Sequence, residues 1–275
     1  IMKTALLIDG DIIAYKHAAG AEIPTDWGDD LWTLHTDVKM ASHQMEIDIK
    51  EMVTRLKANK TVIALSDKEN FRRRIDETYK ASRKKSRKPI GLPSLRKRLL
   101  DKWDAVVIPE LEADDILGIW ATDEEFMPDH RKIIVSIDKD MKTITGMGLN
   151  PMKQVWPEFI SPARADYFWY SQILMGDTTD GYKGLFRCGE KGADKILSPH
   201  YKCDVDDDGL RVDTFDNEAA WADVQAAYDE KGQEDILVQA RVSRILRPGD
   251  YNRETRTITL WHPDATKVEY LELPK

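Results

Sequence analysis

Cysteine is nearly absent: Cys188 and Cys203 are the two in 275 residues. They are too few for a disulfide framework and lack zinc-site spacing, so the chain reads as a protein of a reducing compartment. No apolar run approaches the roughly 20 residues that span a bilayer as a helix, so a membrane partner is not expected. The opening Met2-Lys3-Thr4-Ala5-Leu6-Leu7-Ile8-Asp9 reaches an acid too soon for a signal peptide. His17, His35, His43, His130, His200 and His262 are scattered without ligand spacing, which leaves imidazole chemistry without a constellation. Internal repeats and low-complexity segments are missing too. Positive charge is short overall, with 41 Lys and Arg against 49 Asp and Glu and a net charge of −8.

That deficit is uneven. Between Lys68 and Lys102 the chain gathers Arg72, Arg73, Arg74, Lys80, Arg83, Lys84, Lys85, Arg87, Lys88, Arg96, Lys97 and Arg98. A local basic patch matters more to phosphate binding than the global sum. The bland reading of such a run is a solvated face. Hydrophobic residues make up 41% and there are eight Trp, enough for one large α/β domain or a core with a smaller unit.

Three short apolar runs end in acids: Ala5 to Asp9, Thr61 to Asp67 and Lys132 to Asp138. They are continuous rather than alternating, as buried parallel strands are when helices cover both faces. Ala105 to Pro109 is a weaker fourth. Between them, Asp37 to Lys57 and Ser94 to Trp103 carry apolar residues at helical spacing. The alternation predicts an α/β fold with a mostly parallel, doubly wound sheet, whose ligands lie beyond the carboxyl ends of its strands. Asp9, Asp67 and Asp138 fall at that edge. From Asp166 the pattern turns helical. Gly181 to Leu197 reads as helix, turn, helix; Asn217 to Glu230 and Asp235 to Ile245 read as helices, and Thr255 to Leu260 as a short strand. The expected division is a core over 2–160, with the basic segment at about 68–102, and a second region over 161–275.

The informative set is Asp9, Asp67, Glu112, Asp114, Asp115, Asp138, Asp140, Asp177 and Asp180. In Glu112-Ala113-Asp114-Asp115, Glu112 and Asp115 share a helix face. Alone this reads as a charged helix start, which suits the macrodipole. Asp138-Lys139-Asp140 and Gly176-Asp177-Thr178-Thr179-Asp180 add two more acid pairs. So many carboxylates at one edge repel without a counter-ion. Hard oxygen ligands suit Mg²⁺ or Mn²⁺, and two such ions about 3.5–4 Å apart can hold the attacking and leaving oxygens of a phosphodiester.

Leu7-Ile8-Asp9-Gly10, Ser66-Asp67 with Phe71-Arg72, Tyr79-Lys80 with Arg83, Glu112 to Asp115, Asp138 to Asp140 and Gly176 to Asp180 occur in the order seen in 5′-nucleases. The chain resembles that superfamily, which contains flap endonucleases and the 5′-nuclease domain of DNA polymerase I. Asp180-Gly181-Tyr182, Gln239 to Arg247 and Ile258 to Pro263 make it more similar still to the 5′-to-3′ exonucleases of podophages of the T-seven type. The resemblance runs from about Leu6 to Pro263. It implies two Mg²⁺ ions, replaceable by Mn²⁺. Asp9, Asp67, Glu112 and Asp114 surround the first, with Asp115 adjacent; Asp138, Asp140 and Asp180 surround the second, with Asp177 beyond it. It implies Lys80 and Arg83 as the catalytic cations that reach the scissile phosphate from a helical arch.

The same resemblance implies DNA contacts from Arg72, Tyr79, Lys84, Lys85, Arg87, Lys88, Gly184, Gly189 and Lys191, the last three in a helix–three-turn–helix that binds K⁺ in the family. The sequence departs from that pattern at Phe186 and Arg187. The implied substrates are duplex DNA with 5′ ends, RNA–DNA hybrids and 5′ flaps. The implied partners are a phage single-stranded DNA-binding protein or other replication proteins. The setting is the cytoplasm of an infected bacterium, and the tasks are primer removal, host-DNA breakdown and recombination. One rival comes from another class: Asp9-Gly10-Asp11 also resembles the haloacid-dehalogenase phosphatases, in which Asp11 would be the general acid. That chemistry leaves Glu112 to Asp115 and the basic segment unused.

Overall fold

The computed structural model describes residues 2–274, apart from the side chains of Lys84 and Lys85. The central sheet is built from β1 (Lys3–Asp9), followed by α1 (Gly10–Gly20), a hairpin of β2 (Glu22–Asp26) and β3 (Trp32–Thr36), α2 (Val38–Arg55) and β4 (Lys60–Leu65). Next come α3 (Arg72–Ile75), α4 (Leu92–Lys102), β5 (Ala105–Val107), α5 (Ala113–Thr122), β6 (His130–Val135), β7 (Gly146–Leu149) and β8 (Glu158–Ile160). The strand order is β5-β4-β1-β6-β7-β8; β8 is antiparallel to its neighbour and the rest are parallel. The chain first winds to one side of β1 and then crosses to β6 on the other. That reversal places a crevice at the carboxyl ends of β1 and β6.

Successive residues of the inner strands serve opposite faces, as the two-residue period requires. Leu6, Ile8, Ile63, Leu65, Ile133 and Val135 pack with α1, α2 and α4. Leu7, Val62, Ala64 and Ile134 pack with α5 and with Ile258 and Leu260 from the far end of the chain. Six of the seven β1 residues are buried, each large one contributing about 1.5–3 kcal/mol of hydrophobic stabilisation. Gly10 opens α1 against β4: a Cβ there would come within 2.6 Å of Ile63 Cγ2. Its lack of a side chain lets Asp9 end the strand and cap the helix in adjacent positions.

The remainder comprises α6 (Pro162–Met175), α7 (Glu190–Leu197), β9 (Tyr201–Val205), β10 (Arg211–Phe215), α8 (Asn217–Glu230), α9 (Ile236–Ser243), β11 (Tyr251–Asn252), β12 (Thr257–Leu260) and β13 (Glu269–Glu272). Trp169, Tyr170, Leu174, Leu197, Val224, Tyr228 and Ala240 form its core.

The α/β sheet agrees with the sequence expectation, and α8 begins and ends where the apolar spacing put it. Two readings need correction. Gly181 to Gly189 is not helical; only Glu190–Leu197 is. Gly176 and Gly184, at φ +68° and +64°, pack backbone on backbone there, and a Cβ on either would meet main-chain atoms within 2.6 Å. The segment 68–102 is not a continuous helical arch either. Before α4 it holds the four-residue α3 and a 3₁₀ turn at Ala81–Lys85.

Candidate active site

Asp9 is the last residue of β1 and the N-cap of α1. One carboxylate oxygen accepts from the amides of Asp11 and Ile12, and the other accepts from the Ser136 hydroxyl at 3.0 Å. Ser136, just past β6, also holds the Asp138 amide at 3.1 Å. A single hydroxyl thus ties the ends of the two central strands together. Asp140 lies in the first turn of the 3₁₀ helix Lys139–Thr143, which Asp138 caps, and accepts from the Gln172 side chain of α6 at 2.6 Å. Glu112 caps α5, with Asp114 and Asp115 in its first turn. Glu112, Asp114, Asp140 and Asp180 line one crevice together with Arg72, Tyr79 and Tyr182.

The acids divide into two groups. In one, cations meet carboxylates: Lys80 Nζ lies 2.5 Å from Glu112 and 3.5 Å from Asp180, and Arg83 lies 2.5 Å from Asp180. Burial raises the Glu112 pKa, but the charges of Lys80 and Arg72 outweigh it and hold the group down at about 2. In the other group no ion pair forms among the described residues. Burial, aided by the neighbouring Asp138 charge, pushes Asp9 up to about 6. Burial and the charges of Asp9 and Asp138 push Asp114 well above the carboxylate range. Burial and Asp138 push Asp140 up to about 7. Like charges are held together with no cation in direct contact, and Lys80 and Lys139 act on them only from a distance.

Asp115 is a different case and a correction. Its side chain is fully buried and takes both ends of the Arg72 guanidinium at 2.7 Å, plus the amides of Glu112 and Leu246. Arg72, 2% exposed, spends its other donors on Glu112 and on the carbonyls of Val242 and Arg244. All five guanidinium N–H groups are engaged. Arg72 is therefore a buried clamp between α5 and the end of α9, not a DNA contact, and Asp115 is its partner rather than an open oxygen ligand. Tyr79 is corrected likewise: it is 3% exposed, and its hydroxyl donates to Glu112 at 3.0 Å and Asp180 at 3.3 Å.

Gly184 is the third expected DNA contact that turns out buried. Its amide donates to Gln239 and its carbonyl accepts from Gln233, so its backbone is not offered outward. Gly189 and Lys191 are exposed, at the cap and first turn of α7. Arg87 is exposed and forked onto Glu22 at 2.6 and 2.7 Å, and Lys88 is exposed. The Lys84 and Lys85 side chains lie outside the described residues. The Asp67 carboxylate accepts from the Glu110 amide at 2.8 Å. Asp177 pairs with Lys139 at 2.8 Å and caps the turn that carries Asp180.

Lys80 has φ 54° and ψ 20°, a left-handed backbone that non-glycine residues adopt sparingly. Its amide donates to the Asp180 carbonyl at 2.6 Å, and Gly181 packs on Thr78 O where a Cβ would come within 2.8 Å. The strained residue and the Asp180 turn are thus locked together, with the ammonium aimed at the acids. Asp11, the general acid of the phosphatase alternative, is spent structurally: it holds the Ser66 amide at 2.7 Å and pairs with Arg96. Ser136, Gln172 and Arg96 were missed from the sequence. Only the proximity of Ser136 to Asp138 gave any local sign of them.

Residues 4–158 match the family model for the N-terminal resolvase-like domain of 5′-3′ exonucleases. The chain is 30% identical to the exonuclease of Escherichia phage T7, over 95% of this chain and 94% of that one. The chain belongs to the 5′-3′ exonuclease family. It is 28% identical to the exodeoxyribonuclease of Enterobacteria phage T3, over 95% and 93% of the two chains. In fold it is similar to a phage T5 5′-exonuclease with bound zinc, at a TM-score of 0.65 and 13% identity over 90% of each chain. It also resembles a T5 flap endonuclease in complex with DNA and metal ions, at a TM-score of 0.57 and 13% identity, over 86% of this chain and 99% of that one. The chain is accordingly a phosphodiester-hydrolysing 5′-3′ nuclease of the phage type. None of the helices among the described residues of this nuclease is long and apolar enough to cross a membrane.

Proposed function

We propose that the nuclease cleaves by a two-metal-ion mechanism, with Asp9, Asp114, Asp138 and Asp140 as the heart of the cation site. The observation that carries this reading is the condition of Asp9, Asp114 and Asp140, pushed upward by burial and by the neighbouring Asp138 charge, beside a second group that meets lysine and arginine. Among the described residues no three acids are already gathered as a closed metal cage. The donor set nevertheless fits hard divalent cations, Mg²⁺ with Mn²⁺ as substitute. Glu112 and Asp180 complete the set, while Asp67 and Asp177 hold its supporting turns. Such ions, when bound, supply an activated water and charge stabilisation at the phosphate.

The chain's own residues do the rest. Lys80 and Arg83, held beside the crevice by Glu112 and Asp180, would turn to the scissile phosphate if a metal held those carboxylates. Lys80 then stabilises the charge that builds on the phosphoryl oxygens. Tyr79 and Gln172 keep Glu112, Asp180 and Asp140 in register. The loop at Gly184 has its glycine backbone already engaged, so K⁺ is no part of this reading. The substrates on this reading are duplex DNA with 5′ ends, 5′ flaps and RNA-primed hybrids met during phage replication. That the two T5 relatives carry metal, and one of them DNA, supports it.

The test is incubation with end-labelled duplex, flap and RNA-primed substrates in Mg²⁺, with and without EDTA. Release of nucleotides from 5′ ends that stops in EDTA is expected. Cleavage that persists in EDTA, or that starts from 3′ ends, removes the metal reading.

A further inference from the structure

A cavity of about 460 Å³ lies away from the acids, lined by Lys142, Glu158, Arg164, Tyr167, Phe168 and Tyr201 among others. That volume is in the ordinary range for small-molecule sites, about 300–1,000 Å³. Two features connect it to the active site. A second cavity of about 190 Å³ shares Lys142 and Glu158 with it and reaches Ser136 and Asp138 at the end of β6. Helix α6 also carries Gln172, which holds Asp140, on the same face as Phe168 and Arg164, four and eight residues earlier. At 1.5 Å per residue these lie about 6 and 12 Å along the axis from Gln172. At about 3.4 Å per stacked nucleotide, that is roughly two to four nucleotides from the acids.

The lining has the chemistry of a nucleotide. Phe168 and Tyr167 are half-buried, and the Tyr167 and Tyr201 rings meet edge to face with centroids 5.5 Å apart. Lys142 is exposed, makes no ion pair among the described residues, and holds its ammonium 5.8 Å from the Phe168 centroid. The two acids of the wall are already occupied: Glu158 by Arg164 at 2.8 Å, Asp194 by the Tyr167 hydroxyl at 2.6 Å. An aromatic face tolerant of any base beside an uncommitted cation is how single strands are held.

We propose that this cavity is a subsite for one unpaired nucleotide of the strand being cut, its base against Phe168 and its phosphate met by Lys142. The proposal rests on the nuclease reading for the strand's identity, but the binding itself can be measured without cleavage. The probes are deoxythymidine 5′-monophosphate, thymidine and inorganic phosphate, titrated in EDTA against the parent, Phe168→Ala and Lys142→Ala. The parent is expected to bind the mononucleotide best of the three. Phe168→Ala should weaken it at least about fivefold, the effect of losing one stacked base. Lys142→Ala should weaken the mononucleotide but leave thymidine unchanged, and its exposed position keeps the fold intact as thermal melting would verify. In cleavage, both variants should raise KM for duplex with a frayed 5′ end and leave kcat near the parent's, as lost uniform binding does. No binding of the mononucleotide to the parent, or equal binding to all three proteins, overturns the subsite. A parent that binds the mononucleotide through Phe168 yet fails to cleave DNA retains the subsite and sinks the nuclease reading instead.

Discussion

Two groups of carboxylates share one sheet edge and are treated in opposite ways. Glu112, Asp115 and Asp180 are met by Lys80, Arg72 and Arg83, and Glu112 is held down at about 2. Asp9, Asp114 and Asp140 have no such cation, and their pKa values rise; burial raises Asp180 too, with Lys80 and Arg83 offsetting only part of it. The sites are close enough to influence one another, since Lys80 lowers Asp9 and Asp114 as well. Burial is common to both groups; what differs is whether the chain supplies the positive charge. A protein built only for stability would neutralise both. The uncompensated group is stability given up for chemistry, and the comparison can be broken from either side.

The largest effect is expected where compensation is missing. Asp138→Asn or Asp114→Asn should lower single-turnover cleavage by about a thousandfold or more, the scale of losing a preorganised electrostatic group. In metal-free protein at pH 8 the Asp114 variant should melt higher than the parent, because repulsion is relieved. Near-parental cleavage at millimolar Mg²⁺, together with a lower melting temperature, would reverse the assignment.

The compensated group should fail through the fold. Arg72→Leu leaves Asp115 buried and unpaired and should cost about 3–5 kcal/mol in unfolding free energy. Asp115→Asn keeps one acceptor oxygen, enough for one of the Glu112 and Leu246 amides, and leaves no unpaired buried charge of its own, so it should cost less. If Asp115 is a clamp partner, raising Mg²⁺ will not restore activity to Asp115→Asn. Rescue by metal would return it to the ligand set.

Between these lies Lys80. Lys80→Ala should slow the saturated chemical step by about a hundredfold, while equilibrium DNA binding in Ca²⁺ changes little. A parental rate at saturating DNA would leave Lys80 as a counter-ion for Glu112 and nothing more.

A pH series sharpens the contrast further. Asp9 and Asp140 have folded-state pKa values near 6 and 7, above the roughly 3.9 of an unfolded aspartate. Groups raised in this way favour the fold most below the unfolded value, and that contribution is lost as pH rises through the folded value. Metal-free protein should therefore lose on the order of 1–3 kcal/mol per group between pH 4 and 8. Burial lowers the His17 pKa, so its contribution runs the other way, and Asp140→Asn isolates the acid part of the change. Mg²⁺ at pH 8 should recover the loss by binding the folded form alone. A metal-free protein as stable at pH 8 as at pH 5, and indifferent to Mg²⁺, contradicts the scheme.

The sheet was legible because β1, β4 and β6 are continuous apolar runs ending at acids, a pattern with few alternative explanations. Asp9 and Asp138 stood out for the same reason, as the acids that end β1 and follow β6. The division of the acidic set was not legible. Nothing in Phe71-Arg72 shows that the guanidinium turns inward to a residue 43 positions later; that depends on the crossover bringing α5 beside α3. Ser136 and Gln172 were hidden because a lone hydroxyl and a helix glutamine carry no spacing signal. The first half of the expected helix–turn–helix failed on its glycines. Gly181 and Gly184 sit at positive φ in a close backbone crossing, where helical spacing of the apolar residues means nothing.

The smallest effect concerns the exposed end of the basic segment, beyond the compensated group. Arg83 is on Asp180 and Arg87 on Glu22, so both are partly committed. Lys88 is exposed, and no ion pair involving it is seen among the described residues. Each phosphate a lysine neutralises releases counter-ions, and log K falls with log salt by about 0.9 per contact. Changing Lys84, Lys85 and Lys88 together to Ala should flatten that slope by about one to three units. The saturated cleavage rate should stay near the parent's, because uniform binding does not lower the chemical barrier. The measurement is equilibrium binding in Ca²⁺ across a salt series, paired with single-turnover cleavage. Lys80→Ala should give the opposite pattern, a slower chemical step on a nearly parental slope. If the triple variant keeps the parental slope, those lysines are a solvated face, and the electrostatic hold on DNA comes from other cations.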